Sequence, residues 1–143
     1  PAVNLVFALD EALKMMRDEG LDNIFLRHNK HKLAMSNAVK VLNLKLFADE
    51  KYLSPSVTAI KTEGMDAEQF RKTIKDKFDI LLAGGQDHLK GQIFRVGHLG
   101  YVNDRDIITI ISAISNTLLD LGKITAQQTG EALVIASKYL EGN

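Results

Sequence analysis

The chain has 143 residues, 45% of them hydrophobic, which suits one globular domain with a core of its own and excludes a disordered tail. Eighteen basic side chains balance eighteen acidic ones, so nothing indicates a nucleic-acid footprint or a polybasic membrane patch. With no cysteine, the chain cannot supply a disulfide, a thiolate metal site, an iron–sulfur cluster or a thiol nucleophile.

No run approaches the roughly 20 apolar residues of a membrane span, and the opening PAVNLVFALDEAL has no basic n-region followed by a small-residue cleavage site, so secretion is not expected. These features lead us to expect a cytoplasmic protein. The chain starts at Pro1 without a methionine and enters a helical pattern at once, so a piece of a longer protein is expected.

In chain order, Leu5, Leu9, Leu13 and Met16 make an apolar stripe that predicts a first helix ended by Gly20. Leu21, Ile24, Phe25, Ala34, Ala38, Val41 and Leu42 continue a helical period through the basic stretch RHNKHK, which reads as a solvated face. LKLFA and VTAIK alternate as two short strands. Asp66 and Gln69 form a capping pair ahead of Phe70, Ile74 and Phe78, predicting a third helix to about Lys77. FDILLA and QIFRV read as two further strands, joined through Gly84 to Gly91 by a connection too long for a two-residue turn.

Asn103 then caps a helix with Ile107, Ile111, Ile114, Leu118 and Leu121 at alternating spacings of four and three, the strongest periodicity in the chain. Thr125 and Gln128 form a capping box before a last helix carrying Leu133, Ala136 and Leu140. The order is helix, helix, strand, strand, helix, strand, strand, helix, helix. It describes a small sheet with helices packed on it, an α+β two-layer domain.

The glycine-rich loop matches no nucleotide-binding spacing, and its Gly84, Gly85 and Gly91 read as permitting turn dihedrals. His28 and His31 lie three apart, but with no third ligand in view they read as surface histidines in a basic turn. His88 and His98 bracket the hairpin and read as ordinary loop histidines. Asp104 and Asp106 suit a helix N-terminus. No nucleophile elbow or triad spacing is present.

Arg95 differs from all of these. On a strand it shares a face with Ile93 and Gly97, while Phe94 and Val96 point to the core. A planar guanidinium on a rigid strand beside a glycine can grip a carboxylate bidentately, or it can pair with an acid of its own chain. The residues alone leave these two readings level.

FDILLAGGQDHLKGQIFRVGHLGYVNDRDI (residues 78–107), together with PAVNLVFALDEALKMM (1–16) and EGLDNIFLRH (19–28), resembles the C-terminal part of class V pyridoxal-phosphate aminotransferases. The likeness is strongest to the serine/alanine–glyoxylate branch. It also extends to the small, tritium-exchange subunits of cyanobacterial soluble hydrogenases, although nickel–iron or iron–sulfur chemistry needs thiolates that this chain lacks.

The resemblance implies the small domain of a fold-type-I homodimer, a small mainly antiparallel sheet packed with helices, closing over pyridoxal phosphate held by a large N-terminal domain that also carries the Schiff-base lysine. It implies that Arg95 binds the substrate α-carboxylate and that Gly84, Gly85 and Gln86 are the candidate active-site loop. No lysine here, Lys90 included, stands in the cofactor-lysine context, so catalytic and metal residues are expected to be absent from this segment. The parent would transfer an amino group between a small amino acid of the serine or alanine type and a 2-oxo acid such as glyoxylate or pyruvate.

Within the chain the expected division is a linking or interface helix over 1–20, the substrate-side domain over 21–122 and a tail helix over 123–143. The competing readings are a stand-alone module sensing a small acid at Arg95, a protein-interaction domain using the first helix, or a subunit of a soluble hydrogenase.

Overall fold

A computed structural model describes residues 2–142. In it α1 (Val3–Glu19) and α2 (Leu21–Val41) precede β1 (Lys45–Leu46), β2 (Val57–Lys61), α3 (Ala67–Phe78), β3 (Ala83–Gly84), β4 (Ile93–Gly97), α4 (Asp104–Asp120) and α5 (Ala126–Glu141). The expected order of elements is the order found. The strands form one antiparallel sheet, β1-β2-β4-β3.

The two faces of this sheet differ because β2 and β4 pair in register. Thr58 lies opposite Val96 and Ile60 opposite Phe94, and all four are buried. Ala59 opposite Arg95 and Val57 opposite Gly97 fall on the other face, where all four are half-buried or exposed, although Ile93, next along that face, is buried.

Over the buried face, α2 packs on β1 and β2, and α3 packs on β3 and β4, where the Phe70 and Phe94 rings sit 5.2 Å apart. Behind them α4 contacts α2 and α3, and α5 contacts α2 and α4. The core therefore joins Met35, Ala38 and Val39 of α2 to Ile107, Ile111, Ile114 and Leu118 of α4, with Ala132, Ala136 and Leu140 of α5 closing it. α5 thus contributes side chains to the same core.

Local signals account for the helix ends. Both side chain–backbone bonds of a capping box are made at Asn103 and Asp106, and again at Thr125 and Gln128. Asp66 caps α3 through the Glu68 N–H, without the return bond that Gln69 suggested. Gly20, at φ +83°, separates α1 from α2.

Several expectations are corrected. Phe78 ends α3, and Asp79 takes the left-handed conformation that stops it, so FDILLA contributes only Ala83 to a strand. LKLFA pairs over just two residues, although the Phe47 N–H still reaches the Ala59 carbonyl at 2.9 Å. Leu21 and Phe25 face solvent, as does Leu121. The packed flank of α2 carries Ile24, Ala34 and Ala38 as expected and, with them, His28 and His31, both buried within the stretch expected to be solvated.

α1 buries no residue. Its apolar side chains stand in the open, with Leu5 71% and Phe7 70% exposed.

Candidate functional site: Arg95 on the open sheet face

Arg95 stands at the middle of β4 with small neighbours on both sides, Ala59 on β2 and Ala83 on β3. Gly97, two residues on, leaves open space where a side chain would stand. The guanidinium is half-buried, and no carboxylate of the described residues lies within salt-bridge distance of it.

Its one hydrogen bond among the described residues runs from Nε to the carbonyl oxygen of Gly84, at 2.9 Å. The Gly85 N–H bonds the Ile93 carbonyl, so by antiparallel alternation the Gly84 carbonyl points away from the β3–β4 ladder. Arg95 therefore reaches across Ala83 to the sheet edge. With Nε committed to the backbone, the terminal Nη1 and Nη2 remain as a planar two-donor fork, which matches a carboxylate end-on.

Gly84 and Gly85 are glycines for reasons of space, which corrects the turn-dihedral reading. Of the three glycines in that reading, only Gly91 has a left-handed φ, +76°. A Cβ on Gly85 would sit 2.1 Å from the Leu89 carbonyl oxygen, and one on Gly84 would sit 2.5 Å from Nη1 of Arg71. Gln86 is exposed and precedes the short turn Asp87–Leu89, on which His88 is also exposed. The structure therefore gathers Arg95, Gly84 and Gly85 at one edge, with Gln86 following on the surface.

Three of the four histidines are buried, against the expectation for His28, His31 and His98. Each has a partner that fixes its protons. His28 Nδ1 donates to the Ile24 carbonyl at 2.7 Å, and its Nε2 accepts from the Gly100 N–H at 3.2 Å. His98 Nδ1 donates to the Pro55 carbonyl at 3.0 Å, and its Nε2 accepts from the Thr58 hydroxyl at 2.9 Å. His31 Nε2 donates to Asp104 at 2.8 Å, while its buried Nδ1 has no partner among the described residues. Burial pushes His98 down to about 4 and lowers His31 as well, the latter against the pull of the Asp104 carboxylate.

These contacts hold the segment after β4. Gly100, at φ +85°, is gripped twice by α2: His28 takes its N–H, and Arg27 Nη1 donates to its carbonyl and to that of Val102, both at 2.9 Å. Arg27 also pairs with Glu19 at the end of α1 through two bonds, which lowers the Glu19 carboxyl below its usual range. In FRVGHLG, only Arg95 faces the open site; His98 and Gly100 position the chain that leaves it.

A lysine that forms a Schiff base near neutral pH needs burial to lower its pKa, and a pyridine-nitrogen partner needs a sheltered carboxylate. Every lysine among the described residues is exposed or half-buried, and so is every Asp and Glu. No group of three or more metal-ligating side chains comes together among them either.

No family model matches the chain. Its curated relatives are informative. The soluble hydrogenase small subunit of Synechococcus sp. is 51% identical over 140 residues, covering 98% of this chain and 36% of that one. The serine–glyoxylate aminotransferase of Methylorubrum extorquens is 34% identical over 146 residues, covering all of this chain and again 36% of the relative. Among solved structures, the ureidoglycine–glyoxylate aminotransferase of Bacillus subtilis superimposes with a TM-score of 0.84 at 28% identity, over 92% of this chain and 35% of that chain.

The chain has as its homologues and structural neighbours class V aminotransferases of the serine/alanine–glyoxylate type, together with a soluble hydrogenase small subunit. It matches the C-terminal part of these proteins and spans about a third of the length of the relatives named above. Its five helices and four-stranded antiparallel sheet form an α+β fold whose structural neighbours are the C-terminal domains of such aminotransferases.

Among the described residues no helix is long and apolar enough to cross a membrane.

Proposed function

We propose that this chain is the substrate-side domain of a pyridoxal-phosphate-dependent aminotransferase, in which Arg95 binds the α-carboxylate of the amino acid and of the 2-oxo acid. The observation that carries this reading is the guanidinium itself. It lies half-buried on the sheet face turned away from Phe94 and Val96, with Nε tied to Gly84 and with Nη1 and Nη2 unengaged among the described residues. An arginine held this way presents a preformed fork, so little freedom is lost on binding.

The cofactor would be held by the remaining part of the protein and would supply the electron sink for ionising the substrate Cα–H bond. This chain's contribution is orientation. Holding the carboxylate fixes the angle at which that bond is presented, and a rigid strand holds it better than a loop. The substrates that suit the site are small amino acids of the serine or alanine type, with glyoxylate or pyruvate as acceptors; the relatives' names point the same way.

Residues 1–20 act as a linking helix whose apolar flank packs on the large domain or on a second subunit of a homodimer. Its exposed Leu5, Val6, Phe7 and Leu9 support that role.

The hydrogenase name of the Synechococcus relative is a competing reading. Against it, this chain has no cysteine to ligate nickel, iron or an iron–sulfur cluster. The test is a transamination assay of the full-length protein supplied with pyridoxal phosphate, serine or alanine, and glyoxylate or pyruvate. Stoichiometric formation of the new amino acid and the new oxo acid is expected. Hydrogen evolution or uptake without amino transfer would overturn the proposal.

A further inference from the structure

Arg71 is a second arginine at the same sheet edge, and the carboxylate-binding reading gives it no role. It stands on α3 and is mostly buried. Its Nη1 pairs with both carboxylate oxygens of Glu68, at 2.8 and 2.9 Å, and its Nε donates to the Leu82 carbonyl at 2.7 Å. The ion pair lies against the Cα of Gly84: a Cβ there would come within 2.5 Å of Arg71 Nη1 and 2.6 Å of Glu68 Oε1. Gly84 therefore sits between two guanidiniums, with Arg71 beneath its Cα and Arg95 on its carbonyl oxygen.

β3 is a terminal strand of only two residues, paired with β4 alone. So short an edge has few ladder bonds to hold its register. Arg71 adds a tie from α3 to the chain entering it, and the bare Cα of Gly84 lets the ion pair press close. Whatever fixes β3 also fixes the direction of the Gly84 carbonyl, and that carbonyl sets the plane of the Arg95 guanidinium.

We propose that Arg71, held by Glu68, is a positioning residue for Arg95. It acts through β3 and the Gly84 carbonyl to keep Nη1 and Nη2 turned toward the open face. The ligand side of this inference rests on the proposed carboxylate site; the mechanical side does not.

The test uses the 15N-labelled 143-residue chain, with the Arg95 Nε–H signal assigned by its loss in Arg95→Lys. Two quantities are read: exchange of that Nε–H with solvent, and the affinity for acetate from shifts around Arg95. In Arg71→Ala, Nε–H exchange should speed up by about tenfold and acetate affinity should fall about three- to tenfold, the scale of one ordinary hydrogen bond. Amide signals distant from β3 should stay in place.

A folded Arg71→Ala chain with unchanged Nε–H exchange would overturn the proposal. If Arg71→Ala does not fold, Glu68→Gln decides. It leaves the Leu82 bond and removes the charge that holds Arg71, so faster Arg95 Nε–H exchange supports the proposal and wild-type exchange refutes it. A wild-type chain that binds no acetate at Arg95, yet whose Nε–H still responds to Arg71, would refute carboxylate binding and leave the positioning role standing.

Discussion

Acid should destabilise this domain well before its carboxylates are protonated, because His98 is buried in its neutral form. Its Nδ1–H is committed to the Pro55 carbonyl and its Nε2 accepts from Thr58, so the neutral ring satisfies both neighbours. Burial holds the folded-state value at about 4, against about 6.5 for an exposed histidine. Between these values the unfolded chain binds a proton that the folded chain does not. Stability from His98 is therefore complete above about pH 6.5 and is lost as the pH falls toward 4. At about 1.4 kcal/mol per pH unit, the loss over that window is on the order of 3 kcal/mol.

His31 is shifted the same way by burial and adds to the slope, whereas Glu19, lowered by its bonds to Arg27, loses its contribution only below the ordinary glutamate range. Urea unfolding followed by circular dichroism at pH 7, 6, 5 and 4.5 measures the slope. His98→Asn serves as control, since its amide N–H stands in for Nδ1–H and does not titrate. The expected outcome is a steep fall in the parent chain and a shallower one in the variant. Equal slopes, or a stability flat from pH 7 to 4.5, would refute the assignment of a neutral His98.

Gly85→Ala places a methyl against the Leu89 carbonyl, which is backbone and cannot swing away, so a loss of about 1–3 kcal/mol or more is expected in chemical denaturation. Gly97→Ala, where nothing lies within 4 Å, should stay within about 0.5 kcal/mol of the parent. Replacing Leu5 and Leu9 together by lysine should leave the melting temperature of the isolated chain nearly unchanged, since α1 buries nothing, while reducing self-association in sedimentation. Incubation with pyridoxal phosphate followed by desalting should leave no stoichiometric cofactor absorbance on this chain, whose lysines are all at least partly exposed.

The helices could be read from the sequence because their information is local. Asn103 with Asp106 and Thr125 with Gln128 are capping pairs three residues apart, and the isoleucines of α4 repeat within one face. The orientation of Arg95 was also legible, since strand alternation alone sends Phe94 and Val96 inward.

The buried histidines were not, because RHNKHK has the composition of a solvated turn. Its two histidines are buried and bond to residues more than seventy positions away, Gly100 for His28 and Asp104 for His31. FDILLA misled for the opposite reason. Its apolar residues are wanted for packing at Ile80 and Leu82, while Asp79 breaks the backbone and the ladder begins only at Ala83. The pairing of Glu68 with Arg71 has a helical spacing, but nothing local shows that it lies under Gly84.

The carboxylate grip is tested most directly by Arg95→Lys in the full-length protein, assayed with serine and with ethanolamine, its decarboxylated counterpart. Replacing a two-donor fork by a single ammonium should cost about 1.5–3 kcal/mol toward serine, or about ten- to a hundredfold in kcat/KM. The slower reaction of ethanolamine, which offers no carboxylate, should be nearly unaffected. Equal losses for both substrates, or wild-type kinetics toward serine, would contradict the account and return Arg95 to the role of a structural arginine at the sheet edge.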